Sequence, residues 1–297
     1  MADRFVSPLR YPGGKRKIAN YLKILLLRNS IHGVAYAEPF AGGAAVALSL
    51  LFEEYASQVF INDIDPAIAS FWRMALANND ALCERIEDVH ISMSEWRKQR
   101  EILDLRAAAD PMDLAFATFF LNRCNRSGII RGGPIGGLEQ AGTWRMDARF
   151  NKGSLIKRIQ KVGRFADRIS VTNSDAADLF RAPPWPKHTF VYADPPYVHN
   201  ASSLYHNSFA EADHRALSDL VKASPDPWLL TYDDTPLIRD AYAGFGCVEF
   251  SLSYSAANRY RGSELMFFSA DLEPVLDIEP AGVGVETVGR ERLAALT

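Results

Sequence analysis

Short apolar runs alternate with helix-spaced segments toward both ends of this chain, and that alternation limits the fold more than any other feature. Residues 34–37, 59–61, 169–172, 189–192, 228–231, 247–252 and 265–268 read as strands, with helices at 15–28, 44–51, 211–223 and 235–243. Pro66, suited to a first helical turn, starts another helix after the second strand. Alternation of this kind builds an α/β fold around a mostly parallel, doubly wound sheet. Between about residues 70 and 165 the strand signal disappears. Helices are expected there at 80–89, 93–108, 111–123 and 154–165, with a glycine-rich loop at 128–142. A chain of 297 residues has room for such an insertion beside an enzyme-sized core. The expected division is a catalytic domain of 1–69 and 166–270, a helical insertion of 70–165 and a weakly ordered tail of 271–297.

Charge is distributed unevenly over this plan. Lys plus Arg number 33 against 36 Asp plus Glu, a net charge of -3, which excludes a uniformly basic nucleic-acid packaging protein. Locally the balance differs. Residues 1–28 hold seven Lys/Arg and one acid, residues 119–168 hold eleven and three, and residues 271–297 hold two and six. A single charge run usually marks a solvated face. Two basic runs, one containing a glycine-rich loop and Trp144, indicate a polyanion-binding surface. Cys83, Cys124 and Cys247 are far apart and form no C-x-x-C, so neither a disulfide framework nor a structural zinc is expected. No metal-ligand spacing surrounds His199 and His206, and no metal is expected. The start, Met-Ala-Asp-Arg, has no apolar signal region, and the apolar stretch 22–27 is too short to span a bilayer. A cytoplasmic protein without a membrane partner is expected.

The most specific motif is Asp194-Pro195-Pro196-Tyr197, directly after an apolar strand. Doubly wound sheets bind ligands at the carboxyl ends of their strands. Two prolines fix a turn there and leave carbonyls free to accept, so an Asp and a proline carbonyl can receive both hydrogens of one amino group. A tyrosine three residues on can stack against a planar ring. Glu38-Pro39-Phe40-Ala41-Gly42-Gly43 follows the first strand, and glycines at that turn admit a ligand close to the backbone. It is not G-x-G-x-x-G. Asp63, at the end of the second strand, stands where an acid binds ribose hydroxyls, or else caps the next helix. Together these two describe a nucleoside site. Arg10-Tyr11-Pro12-Gly13-Gly14-Lys15 precedes the first strand, which allows Tyr11 and Lys15 to reach over the same pocket.

With these residues in place, the chain from Arg10 to Phe268 resembles the Dam-type DNA adenine methyltransferases. The family's aromatic-x-Gly-Gly-Lys opening is matched by Tyr11 to Lys15, its E-P-F-x-G loop by Glu38 to Ala44, its acidic ribose ligand by Asp63 and its D-P-P-Y by Asp194 to Tyr197. Smaller matches are Leu121-Asn122-Arg123 with Ser127-Gly128, Tyr205-His206-Asn207-Ser208-Phe209, and the stretch 261–268. The resemblance implies a Rossmann-like methyltransferase sheet with an inserted target-recognition subdomain. It also implies S-adenosyl-L-methionine as cofactor, and methyl transfer to the amino group of an adenine flipped out of double-stranded DNA. Asp194, Pro195 and Tyr197 would be catalytic. Tyr11, Lys15, Glu38, Phe40, Gly42, Gly43, Asp63 and Asp194 would hold the cofactor. Arg123, Arg126, Arg131, Gln140, Trp144 and Arg145 are expected on the DNA face, the last four as base readers, since Arg suits guanine and Gln adenine.

The chain departs from the family in the insertion. The usual Asn-Gly is Ser127-Gly128, and five glycines at 132, 133, 136, 137 and 142 occupy the loop region. The reaction is unaffected, but the target sequence is expected to differ from G-A-T-C. Cytosine amino methylation uses the same chemistry, although those enzymes more often carry Ser at the position of Asp194. A protein-glutamine methyltransferase would begin its tetrad with Asn, and a DNA-binding relative could have lost catalysis. A restriction endonuclease partner leaves no mark in the sequence.

Overall fold

The computed structural model describes residues 6–11, 15–198, 209–254 and 260–295. Seven strands form one sheet: β1 (Val34–Glu38), β2 (Ala56–Asn62), β3 (Ile169–Thr172), β4 (Phe190–Ala193), β5 (Trp228–Asp233), β6 (Gly246–Tyr254) and β7 (Tyr260–Phe268). Their order is β3-β2-β1-β4-β5-β7-β6. β1 runs parallel to β2 and β4, and β4 parallel to β5, whereas β7 is antiparallel to both β5 and β6. The sheet is thus mixed α/β, with its parallel centre as expected. Every residue of β4 and β5 is buried. This is why those strands read as continuous apolar runs rather than alternating ones.

Contacts divide the chain into two compact units, Lys15–Ile61 with Ser174–Thr297, and Met1–Gly14 with Asn62–Asn173. In the first, helices α1 (Ala19–Arg28), α2 (Ala45–Phe52), α8 (Ala176–Arg181), α9 (Glu211–Lys222), α10 (Pro236–Ala241) and α11 (Val285–Ala294) accompany the strands. Val191, Trp228, Leu230, Tyr232, Tyr242 and Phe267 lie in its core. α8 is a short helix the sequence did not signal, capped by Asp175 on the Ala177 N–H. The expected weakly ordered tail is corrected here. Tyr21 and Asn20 of α1 donate to the carbonyls of Val275 and Val283, and Arg28 bonds both Asp277 and Glu291, so the tail is tied along α1.

The second unit is helical, with α3 (Pro66–Ala77), α4 (Asn79–Asp88), α5 (Met93–Leu105), α6 (Pro111–Cys124) and α7 (Lys152–Arg164). α6 is started by Asp110, whose side chain accepts from two N–H groups, with Pro111 at the first helical position. All of its residues from Leu114 onward are buried, as befits a central helix. Phe71 and Phe150 pack against its Phe119.

The N-terminal segment belongs to this unit, not to the expected catalytic domain of 1–69. Asn122 receives the Arg10 N–H at 2.8 Å and donates to the Arg10 carbonyl at 2.6 Å, gripping that residue from both sides. Gly128 completes the clamp. It has φ +80°, and a Cβ there would lie 2.6 Å from the Arg10 carbonyl oxygen. Among the described residues no helix is long and apolar enough to cross a membrane.

Candidate active site

The tetrad starting at Asp194 leaves β4 at the carboxyl end of a parallel strand. Asp194 Oδ1 accepts from Thr231 Oγ1 of β5 at 2.9 Å and from Lys15 Nζ at 3.0 Å. Thr231 is itself held by the Tyr192 hydroxyl at 2.9 Å. The Lys15 ammonium also lies 3.7 Å from Glu264 Oε2 of β7 and 4.7 Å from the centroid of the Tyr197 ring. Pro195 is buried and Tyr197 half-buried. The Tyr197 ring packs 6.1 Å from that of Tyr232. Lys15, Asp194 and Tyr197, named from sequence, are therefore assembled in one place. Thr231 and Glu264 were missed as site residues. Thr231 is a polar residue inside an otherwise apolar strand run and Glu264 directly precedes one, and those positions are the signal that could have found them.

Glu38 ends β1 and is 4% exposed. Its Oε1 accepts from the Tyr36 hydroxyl at 2.9 Å and the Ala47 N–H of α2 at 2.8 Å. Burial pushes its carboxyl up to about 8, against the pull of those two donors. Glu264 is pushed up to about 7, again chiefly by burial, with Lys15 opposing. After Glu38 the chain turns through Phe40 to Gly42 (φ +47°), the buried Gly43 and Ala44 (φ +46°), and Ala44 opens α2. Phe40 is half-buried and meets the Phe209 ring edge-on at 6.3 Å. Pro12, Gly13, Gly14 and residues 199–208 of the sequence motifs lie outside the described residues.

In the helical unit, Tyr11 is half-buried beside the clamped Arg10. Asp63 is 9% exposed, and its Oδ1 accepts from the Asp65 N–H at 2.9 Å. The cap of α3 is Asp65, on the Ala67 N–H, so the helix-cap alternative for Asp63 is removed.

Two of the residues expected on the DNA face are engaged within the unit in this structure. Arg123 is buried, and its guanidinium donates to the Pro8 carbonyl within the unit. Its position in α6, a helix buried on every side, leaves it no surface to present. Gln140 spends its amide on its own loop, donating to the carbonyls of Ile135 at 2.8 Å and Gly137 at 2.6 Å and accepting from the Met146 N–H at 3.0 Å. It braces the loop, with both amide hydrogens spent there. Arg131 pairs with Asp104 at 3.1 Å. Arg126 and Arg145 are exposed, and Trp144 is 72% exposed. Such exposure of a large aromatic beside arginines is unusual for a residue with only a packing role. Among the described residues no group of His, Cys, Asp or Glu could hold a metal ion.

The type II methyltransferase M.CviBI of Paramecium bursaria Chlorella virus NC1A is 24% identical over 225 residues, covering 74% of this chain and 80% of that protein. Among solved structures, PH1948 from Pyrococcus horikoshii aligns over 88% of this chain and 85% of its own at 11% identity, TM-score 0.42. HI0767 from Haemophilus influenzae aligns over 86% and 99% at 12% identity, TM-score 0.36. The sequence profile of one family matches residues 11–256, a span that contains the Lys15, Glu38, Asp63 and Asp194 motifs. The chain belongs to the D12 class of N6 adenine-specific DNA methyltransferases.

Proposed function

We propose that this adenine-specific DNA methyltransferase takes its methyl group from S-adenosylmethionine, with Asp194, Pro195 and Tyr197 carrying the transfer. The observation that supports this most directly is the double anchoring of Asp194 Oδ1 by Lys15 and Thr231 beside Tyr197. Both contacts fall on one carboxylate oxygen, which leaves Oδ2 to accept from an amine. The neighbouring residues fit the cofactor. The carboxyls of Glu38, Asp194 and Glu264 lie close together around one Lys15 cation, and a ligand carrying a sulfonium and an ammonium would favour their ionised forms. The left-handed turn at Gly42 keeps side chains away from the backbone there. When bound, S-adenosylmethionine supplies an electrophilic methyl group. Glu38, Phe40, Gly42, Gly43, Lys15 and Tyr11 would hold it, and Asp63 would take its ribose hydroxyls.

An adenine inside a duplex must leave the stack to reach such a site, at a cost of about a few kcal/mol. Tyr197 receives its ring, while Asp194 and the Pro195 carbonyl accept from its amino group. These contacts strengthen as the nitrogen becomes tetrahedral, so they lower the barrier rather than only binding substrate. Arg126, Arg131, Trp144 and Arg145 face double-stranded DNA in this reading. The type II designation of the viral relative goes with a role in restriction-modification. Asp194→Asn tests the assignment. Tritiated methyl transfer to duplex DNA should fall by about a thousandfold or more, while the variant still binds DNA. Activity near wild type would remove Asp194 from the chemistry.

A further inference from the structure

We propose that Glu264 is a positioning residue for the transfer, sharing the Lys15 ammonium with Asp194 so that its own charge state sets how strongly Asp194 draws on the reacting amine. The inference rests on the reading of Asp194 as the group that accepts from that amine.

The geometry is that of one buried cation between two carboxylates. The Lys15 side chain is 3% exposed and that of Glu264 1%, with Nζ at 3.0 Å from Asp194 and 3.7 Å from Glu264. The Asp194 side chain is 22% exposed, so solvent meets the group from that side only, and the division of the Lys15 charge is set chiefly by the two carboxylates. Glu264 is also poorly explained as a packing residue. Among the described residues neither of its oxygens makes a full hydrogen bond, although the Tyr197 hydroxyl faces them. Burying a carboxylate so sparsely satisfied is costly. A purely structural position in β7, ahead of Leu265, Met266, Phe267 and Phe268, would be served better by an apolar side chain.

The charge count gives the direction of the effect. With Glu264 ionised, Lys15, Asp194 and Glu264 sum to -1, and with it neutral they sum to zero. As the N–CH3 bond forms and the S–CH3 bond breaks, with its electron pair staying on sulfur, positive charge develops on the amino nitrogen until it gives up a proton to water, so the ionised state favours transfer. Lys15, Asp194, Tyr197 and Tyr192 are the titratable groups whose fields act on Glu264, and Asp233 is its register partner on β5. On β6 its register partner is the uncharged Phe250. Burial moves Glu264 into the neutral range, to about 7. Activity should therefore rise with pH through that value.

The test is single-turnover methylation of a duplex by the full-length protein across about pH 5.5 to 8.5. The wild-type rate should show an ionisation near 7. Glu264→Gln, which mimics the neutral carboxyl, should lose that ionisation and run about tenfold slower on the alkaline side. Its affinity for duplex should stay within about twofold. Glu264→Asp keeps the charge and should keep a pH dependence. In the protein without cofactor, infrared difference titration should show a carboxyl ionising near 7 that vanishes in Glu264→Gln. His214, held below its ordinary range by burial, and Glu38, near 8, remain in that variant and so separate their own titrations. A Gln variant with the wild-type rate and profile overturns the proposal. So does a wild-type profile with no ionisation between about pH 6 and 8, whether or not any variant folds. An active Asp194→Asn would instead overturn the reading beneath it.

Discussion

Glu38 and Asp63 are both acids beside a strand end, yet their surroundings give them different expected behaviour. Glu38 is buried, with its carboxyl raised to about 8. Between its unfolded value, near 4.3, and about 8, the folded protein holds a proton that the unfolded chain does not. The Glu38 contribution to stability is therefore present at low pH and is lost as pH rises through about 8. Thermal unfolding of the protein without cofactor should show a Tm that falls over this interval, with a shallower fall in Glu38→Gln. An equal slope in both would mean that Glu38 is solvated. Asp63 accepts a bond from its own turn and does not cap α3. Asp63→Ala should weaken S-adenosylhomocysteine binding by about 1.5–3 kcal/mol, measured by calorimetry, with little change in DNA binding. Unchanged cofactor affinity would return Asp63 to a structural role.

At the scale of elements, the basic run at 119–168 separates into two groups that sequence could not tell apart. Arg123 lies within α6 and bonds the Pro8 carbonyl, whereas Arg126 and Arg145 are exposed. Arg123→Ala should destabilise the protein by about 1–3 kcal/mol, read from denaturant midpoints, because a buried carbonyl loses its donor. Arg126→Ala with Arg145→Ala should leave stability unchanged and reduce the salt slope of DNA binding by about two. A double variant with the wild-type slope would make these arginines a solvated face. The Ser127-Gly128 pair reads in sequence as a departure from a recognition motif. In the structure Gly128 is where backbone meets backbone, against Arg10. Gly128→Ala should destabilise through both φ and that close approach.

Over the whole molecule, the chain's two ends are tied down by different means. Residues 6–11 are held by Asn122, Arg123 and Arg158 of the helical unit. Residues 271–295 run along α1, fastened by Tyr21, Asn20, Asn29 and Arg28. Removing residues 280–297 should lower the Tm, as α11 no longer engages Arg28 through Glu291. An unchanged Tm would show that this helix adds nothing to the fold. The expectation of a weakly ordered tail rests on its acidic sequence, whereas its order comes from the burial of Leu272, Val275 and Val288 and from hydrogen bonds to a helix about 250 positions earlier.

Local spacing in the sequence was enough to locate the strands of the parallel centre, most helices and the tetrad that ends β4, because strand periodicity, helix caps and proline turns act over a few residues. The same holds for the family, since its motifs are short and ordered along the chain. Only the tertiary structure decided which distant side chains join them. Sheet register brings Thr231 and Glu264 to Asp194, burial removes Arg123 from the surface, and loop closure turns Gln140 inward. A charge or an amide in a sequence carries no record of how much water it will keep, and that is settled by packing.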